Sequence, residues 1–168
     1  MRLLCGISLA LSMLVPLAAS AQGTVYLVRH GEKESVGKDP ALTEAGQLRA
    51  RNIAATLRKA GVAQIYSTAL IRTQLTAKPL ANLLALPVQT YNPSRQAEFA
   101  AQLKTLSGNT LVVGHSNTLT ELVRLLGGQP GADIADDEFD RLYQLAIAKD
   151  GSVTTVLLHS IPSAPPAP

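Results

Sequence analysis

Three apolar stretches of the chain run into residues able to do chemistry. "TVYLVRHG" closes on Arg29, His30 and Gly31, and "NTLVVGHS" closes on Gly114, His115 and Ser116. Between them, "IYSTALIRT" places Ser67 at the end of an apolar run and Arg72 about one turn into the next helical pattern. Two histidines and two arginines in such positions suit phosphoryl transfer. A guanidinium is planar, permanently charged and matched to pairs of phosphate oxygens. A neutral imidazole is a nucleophile, and fixed cations can hold the charge on the transferring group throughout the reaction. Glycines at positions 31 and 114 let backbone approach a ligand with no Cβ in the way.

These residues need a frame that gathers them. Residues 24–29 read as a fully buried strand, and residues 64–67, 87–91 and 109–116 as further extended runs. Helical patterns alternate with them. The first has Thr43 as N-cap, Leu48, Ile53 and Leu57 on one face, and Gly61 as a stop. The second spans 69–86, with a kink expected at Pro79. A third covers 95–108 and a fourth 118–128, stopped at Gly127. Residues 141–160 read as a hairpin turning at Asp150-Gly151. The order βαβαβαβαββ predicts an α/β fold: a mostly parallel sheet with helices on both faces and an antiparallel edge. In such sheets ligands bind beyond the carboxyl ends of the strands, where the three motifs fall. Spacing alone leaves open whether the motif-bearing strands are neighbours.

At 168 residues the chain has room for one domain of ordinary size. Its formal charge of +3 is scattered, with no basic run and few aromatics, which argues against nucleic-acid binding. Residues 1–21 stand apart. Arg2, an apolar run from Leu3 to Leu17, and Ala19-Ser20-Ala21 form the three parts of a secretory signal peptide, with cleavage expected after Ala21. The run is short for a membrane span, which needs about 20 residues. No stable span is expected after cleavage, and the expected location is periplasmic or secreted. Cys5, the single cysteine, falls inside this segment, so the rest of the chain has no thiol to form a disulfide or ligate a metal. The domain is expected over 22–160, and the Pro/Ala-rich residues 161–168 have no means of packing.

Taken together, "LVRHGE", "YSTALIRT" and "VVGHSNT" resemble the histidine phosphatase superfamily, the phosphoglycerate-mutase-like proteins, in a small exported form of the branch 1 type. "DPALTEAG" (39–46) and "DDEFDRLYQL" (136–145) add to the likeness, which covers Thr24 to about His159. The resemblance implies a three-layer α/β/α sandwich and a metal-independent phosphoric monoester hydrolase with no cofactor. It implies that His30 is the nucleophile and forms a phosphohistidine. Arg29 and Arg72 would bind the transferring phosphate, with His115 as the second histidine of the pocket and Gly31 beside it. A zinc site built from His30, His115 and His159 has no ligand-type spacing behind it.

The family also uses a general acid, in larger members a glutamate in an insert between the second arginine and the second histidine. Here that stretch is short. Glu98 is the first candidate, followed by Asp137, Glu32 and Asp39. Mutase-type members carry a Ser and an Asn after the first motif, where this chain has Lys33 and Val36. That departure and the missing insert argue against a mutase. Ser67, Ser116 and Asn117 read as helix caps more readily than as catalytic groups. "DDEFDRLY" either is a solvated loop or supplies a carboxylate that orients a site histidine or acts as the acid. The expected activity is that of an exported phosphomonoesterase. The alternatives are a protein that binds a phosphate ligand without turning it over and, behind that, a phosphomutase. The partner would be a phosphorylated small molecule, an envelope glycolipid or a phosphoprotein, and oligomeric state is open.

Overall fold

A computed structural model describes residues 21–161, so the expected signal peptide, bar its last residue, and all but the first residue of the Pro/Ala-rich tail lie outside the described residues. The elements follow the expected order. They are β1 (Ala21–Arg29), α1 (Glu44–Leu57), β2 (Val62–Ser67), α2 (Ile71–Leu84), β3 (Val88–Thr90), α3 (Gln96–Thr105), β4 (Asn109–Gly114), α4 (Ser116–Leu126), β5 (Arg141–Ala148) and β6 (Val153–His159). The six strands form one sheet in the order β3-β2-β4-β1-β5-β6. Strands β3, β2, β4 and β1 are parallel, while β5 and β6 run antiparallel at one edge.

The apolar runs of β1 and β4 are continuous because both faces of the sheet are covered. Side chains alternate between the faces. Val25 and Leu27 pack with α3 and α4, against Phe99, Leu103, Leu119, Leu122 and Leu126. Tyr26 and Val28 face α1 and α2, against Ile53, Leu57, Ala77 and Leu80. This is the three-layer sandwich, and it leaves the ends of the strands as the place where buried polar groups emerge.

Local chemistry sets the helix ends. The Thr43 hydroxyl accepts from Gly46 N–H at 3.1 Å and caps α1. Gly127, at φ 96°, takes the left-handed conformation that closes α4. One expectation is corrected by α1. Leu48 is only partly buried, and the inward face of α1 carries Arg49 instead. Its charge is tolerated because Glu32 receives it through both carboxylate oxygens and Ser160 accepts from its remaining branch at 2.9 Å. Helix α2 runs through Pro79 as a single element. No described helix is long and apolar enough to cross a membrane.

Candidate active site

Strand pairing settles what spacing left open. β1 and β4 are hydrogen-bonded neighbours with Arg29 beside Gly114, and His30 N–H donates to Gly114 C=O at 3.0 Å. β2 lies on the other side of β4, with Ser67 level with Val113. The three motifs therefore open on the same sheet edge.

The histidines are the centre of the arrangement. Their rings meet edge to face with centroids 5.4 Å apart. His30 is 4% exposed. Its Nδ1 lies 2.7 Å from the carbonyl of Gly31. A carbonyl only accepts, so Nδ1 carries the proton and Nε2 keeps its lone pair. Burial is the main cause that pushes His30 down to about 4, helped by His115, Arg72 and Arg29. The same burial, with Arg72 and Arg29, pushes His115 to about 4. Both imidazoles are thus neutral near pH 7, the state in which an Nε2 lone pair can attack.

The tautomer of His115 is set by a short chain of hydroxyls. Its Nε2 lies 3.0 Å from Thr68 Oγ1, which lies 2.8 Å from Thr73 Oγ1. Thr73 sits 2.8 Å from the carbonyl of Leu70 and 3.1 Å from that of Thr68, so its one proton is spent on carbonyls. Thr68 must then donate to Thr73 and accept from His115, which fixes the proton on Nε2. Gln74 donates to the Thr68 carbonyl and to Thr90, tying this network to β3.

Arg29 comes from the end of β1 and Arg72 from the first turn of α2. Arg29, 6% exposed, donates through Nη1 to the carbonyls of Ala135 and Glu138, both at 2.8 Å, and its guanidinium lies 4.1 Å from the ring centre of Phe139. Burial lowers its pKa, opposed by Asp136, Glu138, Asp137 and Glu32. Arg72 stands at the start of α2, with Nη1 3.5 Å from Asp39. In both arginines the Nε–H is buried and has no hydrogen-bond partner among the described residues. Two orphan buried donors beside two neutral imidazoles are costly unless an anion accepts from them.

The candidate acids separate clearly. Glu98 sits on α3 in an exposed ion pair with Arg95, 63% exposed, in a groove lined by Tyr66, Asn92 and Gln102 among others. None of His30, His115, Arg29 or Arg72 lines that groove, so the expectation for Glu98 as proton donor is not supported by placement. Glu32 is engaged by Arg49. Asp39 accepts from Ile71 N–H at 3.1 Å as well as facing Arg72. Asp137 lies in a surface recess with Arg49, Glu138, Phe139 and Asp140, and the Phe139 ring is 6.0 Å from that of His30.

Other expectations change role. Gly31 is set by packing: a Cβ there would fall 2.7 Å from the Gly46 carbonyl, and its N–H donates to Thr76. A Cβ on Gly114 would meet Tyr91 Oη at 2.8 Å, so that glycine also makes room for protein. Ser67 caps no helix, since its hydroxyl donates to the Thr68 carbonyl. His115 itself is the N-cap of α4, and Ser116 and Asn117 are its first helical residues. The "DDEFDRLY" loop orients Arg29 through the Glu138 carbonyl, while the Glu138 side chain pairs with Arg141. His159 pairs with Asp140 at the exposed end of β6. No three His, Cys, Asp or Glu side chains among the described residues are grouped to hold a metal. Thr68, Thr76 and Phe139 are the residues that sequence reasoning passed over, although all lie inside or close to the motifs themselves.

Comparison with known proteins agrees with this geometry. The profile of the histidine phosphatase superfamily (branch 1) matches residues 25–93, which carry Arg29, His30 and Arg72. That segment resembles branch 1 of the histidine phosphatase superfamily. Solved structures share the fold of this chain at low identity. The protein histidine phosphatase SixA, complexed with tungstate, is 19% identical with a TM-score of 0.69, covering 82% of this chain and 96% of that one. An alpha-ribazole phosphatase from Shigella flexneri is 18% identical with a TM-score of 0.66, over 82% and 96%. A phosphoserine phosphatase from Entamoeba histolytica, in complex with 3-phosphoglyceric acid, is 16% identical with a TM-score of 0.60, over 84% and 98%. Comparison with curated proteins gave no match. Members of the superfamily are phosphatases or mutases, and the second histidine of this chain, His115, lies beyond the matched segment but beside His30 in space.

Proposed function

We propose that the protein is an exported, metal-independent phosphomonoesterase working through a phosphohistidine on His30. The observation that carries this reading is the pair of orphan Nε–H donors, from Arg29 and Arg72, flanking a neutral imidazole whose Nε2 lone pair is free of its own backbone bond. Nε2 of His30 attacks phosphorus and the bond from phosphorus to the leaving oxygen breaks. Arg29 and Arg72 hold the phosphoryl oxygens, and the His115 Nε2–H, which otherwise meets Thr68, donates to one of them. A proton moves to the leaving oxygen. Water then attacks phosphorus, the P–N bond breaks, and phosphate departs.

Asp137 is the proton donor in this scheme. Glu98 is off the site, Glu32 is held by Arg49, and Asp39 is spent on the α2 N-terminus and Arg72. Asp137 stands beside Phe139, on the Arg29 side. An alcohol leaving group needs that proton, and the same carboxylate can then take one from water. Three features favour hydrolysis over a mutase reaction. Lys33 and Val36 stand where mutase-type members have their phosphate-gripping Ser and Asn, Val36 is 82% exposed, and the stretch between Arg72 and His115 is short.

The test is turnover of a generic aryl phosphate by chelator-treated protein, with rapid quenching to trap an acid-labile, base-stable phosphoprotein. His30→Ala is expected to abolish both signals. Tight phosphate or vanadate binding with no turnover of any phosphoester would replace this reading by that of a binding protein.

A further inference from the structure

β6 closes the sheet, and no described strand pairs with its outer edge. β6 is the last strand in the sheet order, and Val156, Leu157 and Leu158 are 41–43% exposed on it, with Ile161 just beyond at 66%. No charged residue and no proline interrupts Val153 to Leu158. Isolated monomers blunt such an edge with lysine, proline or a bulge, and β6 has none of these.

Its free backbone groups can be assigned. Ala148 N–H donates to Ser152 C=O, and Ser160 N–H donates to Asp140 C=O. In an antiparallel ladder the hydrogen-bonding residues alternate. The even-numbered residues of β6 therefore bond to β5, and Val153, Thr155, Leu157 and His159 turn their N–H and C=O groups outward. An extended strand is the only partner that satisfies that row.

The side chains say which strand. Read outward from Leu157, the sequence Val153-Thr-Thr-Val-Leu-Leu-His-Ser-Ile161 has the same polarity in both directions. An antiparallel copy centred on Leu157 pairs Leu157 with itself, Val156 with Leu158 and Val153 with Ile161. It places Thr155 opposite His159 and Thr154 opposite Ser160. Every exposed apolar residue of the edge meets an apolar partner, no like charges meet, and odd residues face odd residues as the free backbone groups require. We propose that two copies of this chain join through β6 in this register, making one continuous twelve-stranded sheet about a two-fold axis. Such an interface closes on itself.

The experiment uses the full chain, expressed with its own N-terminal segment so that the host processes it, and sedimentation velocity across a dilution series. The expected result is a particle of about twice the chain mass. Leu157→Lys is expected to convert it to monomer, with the circular dichroism spectrum and phosphatase turnover per chain unchanged and an unfolding temperature that no longer depends on protein concentration. Under mild oxidation Leu157→Cys is expected to cross-link to its own copy. Thr155→Cys is not, because its two copies would lie about 13 Å apart along the strands. A monomer at every concentration, a dimer that survives Leu157→Lys, or cross-linking through position 155 but not 157 would each overturn the proposal.

Discussion

The imidazoles of His30 and His115 stand edge to face, 5.4 Å between ring centres, and both are held near a pKa of about 4. Unfolded histidine titrates near 6.5. Between about 4 and 6.5 the unfolded chain therefore binds more protons than the folded one, and stability rises with pH across that window. The full contribution is present above 6.5 and is lost as pH falls to about 4, up to about 3 kcal/mol for each histidine. Urea unfolding midpoints measured from pH 4 to 7 are expected to fall steeply on the acid side. His30→Asn is expected to flatten that slope, and an unchanged slope would mean that the buried histidines are not its source.

The Thr68 hydroxyl sets which nitrogen of His115 carries the proton. Thr68→Val removes the acceptor and leaves Nε2–H buried beside a methyl group, at a cost of about 1–2 kcal/mol. We expect roughly a tenfold loss in kcat/KM, with the fold intact by circular dichroism. Thr68→Ser keeps the oxygen and is expected to restore most of the activity. Equal losses in both variants would place the effect in packing of the methyl group instead.

The loop after β1 lies against α1 at a contact only glycines allow. A Cβ on Gly46 would sit 2.1 Å from the Glu32 carbonyl, and one on Gly31 would sit 2.7 Å from the Gly46 carbonyl. Gly46→Ala must push the loop off the helix, costing about 1–3 kcal/mol and displacing the segment that comes after His30. A lower denaturant midpoint is expected together with reduced turnover. Gly37→Ala is the contrast: its φ of 106° is strained for alanine, but nothing lies within 4 Å of the added carbon, so stability falls with little effect on the site.

The strands of the site were legible for a physical reason. A strand buried on both faces must be apolar throughout, so the point where Val28 gives way to Arg29 marks the end of the sheet. Arg29, His30, Arg72 and His115 all lie at or within a few residues of such points. What escaped was contact between residues distant along the chain. Phe139 stacks on Arg29 across 110 positions, and Thr68 meets His115 across 47. Neither residue type announces such a contact, because a threonine or a phenylalanine carries no chemistry of its own that local spacing could point to. Glu98 is the first candidate by sequence because it lies between the second arginine and the second histidine along the chain, while α3 carries it into an exposed ion pair with Arg95.

The Arg29 guanidinium lies over the Phe139 ring, 4.1 Å from its centre, while the carbonyls of Ala135 and Glu138 grip Nη1. A contact of this kind is worth about 0.5–2 kcal/mol. Phe139→Ala is expected to raise KM for an aryl phosphate by roughly three- to thirty-fold with a smaller change in kcat, because Arg29 loses its orientation and not its charge. Phe139→Tyr keeps the ring and is expected to stay near the parent value. Steady-state kinetics of the two variants side by side provide the check.

Asp137 as proton donor makes a prediction that depends on the leaving group. An aryl phosphate departs as a stabilised phenolate and needs little help, whereas an alkyl phosphate departs as a strong base that must be protonated. Asp137→Asn should therefore lower kcat/KM on an alkyl phosphate by about 10²-fold and on an aryl phosphate far less. Glu98→Gln removes a carboxylate that is exposed and paired with Arg95, and both substrates should keep their rates within about a factor of two. Equal losses on the two substrates in Asp137→Asn would show that this residue acts by holding the loop that carries Phe139. In that case Asp39, beside Arg72, becomes the carboxylate to substitute next, with the same pair of substrates distinguishing proton transfer from support of the arginine.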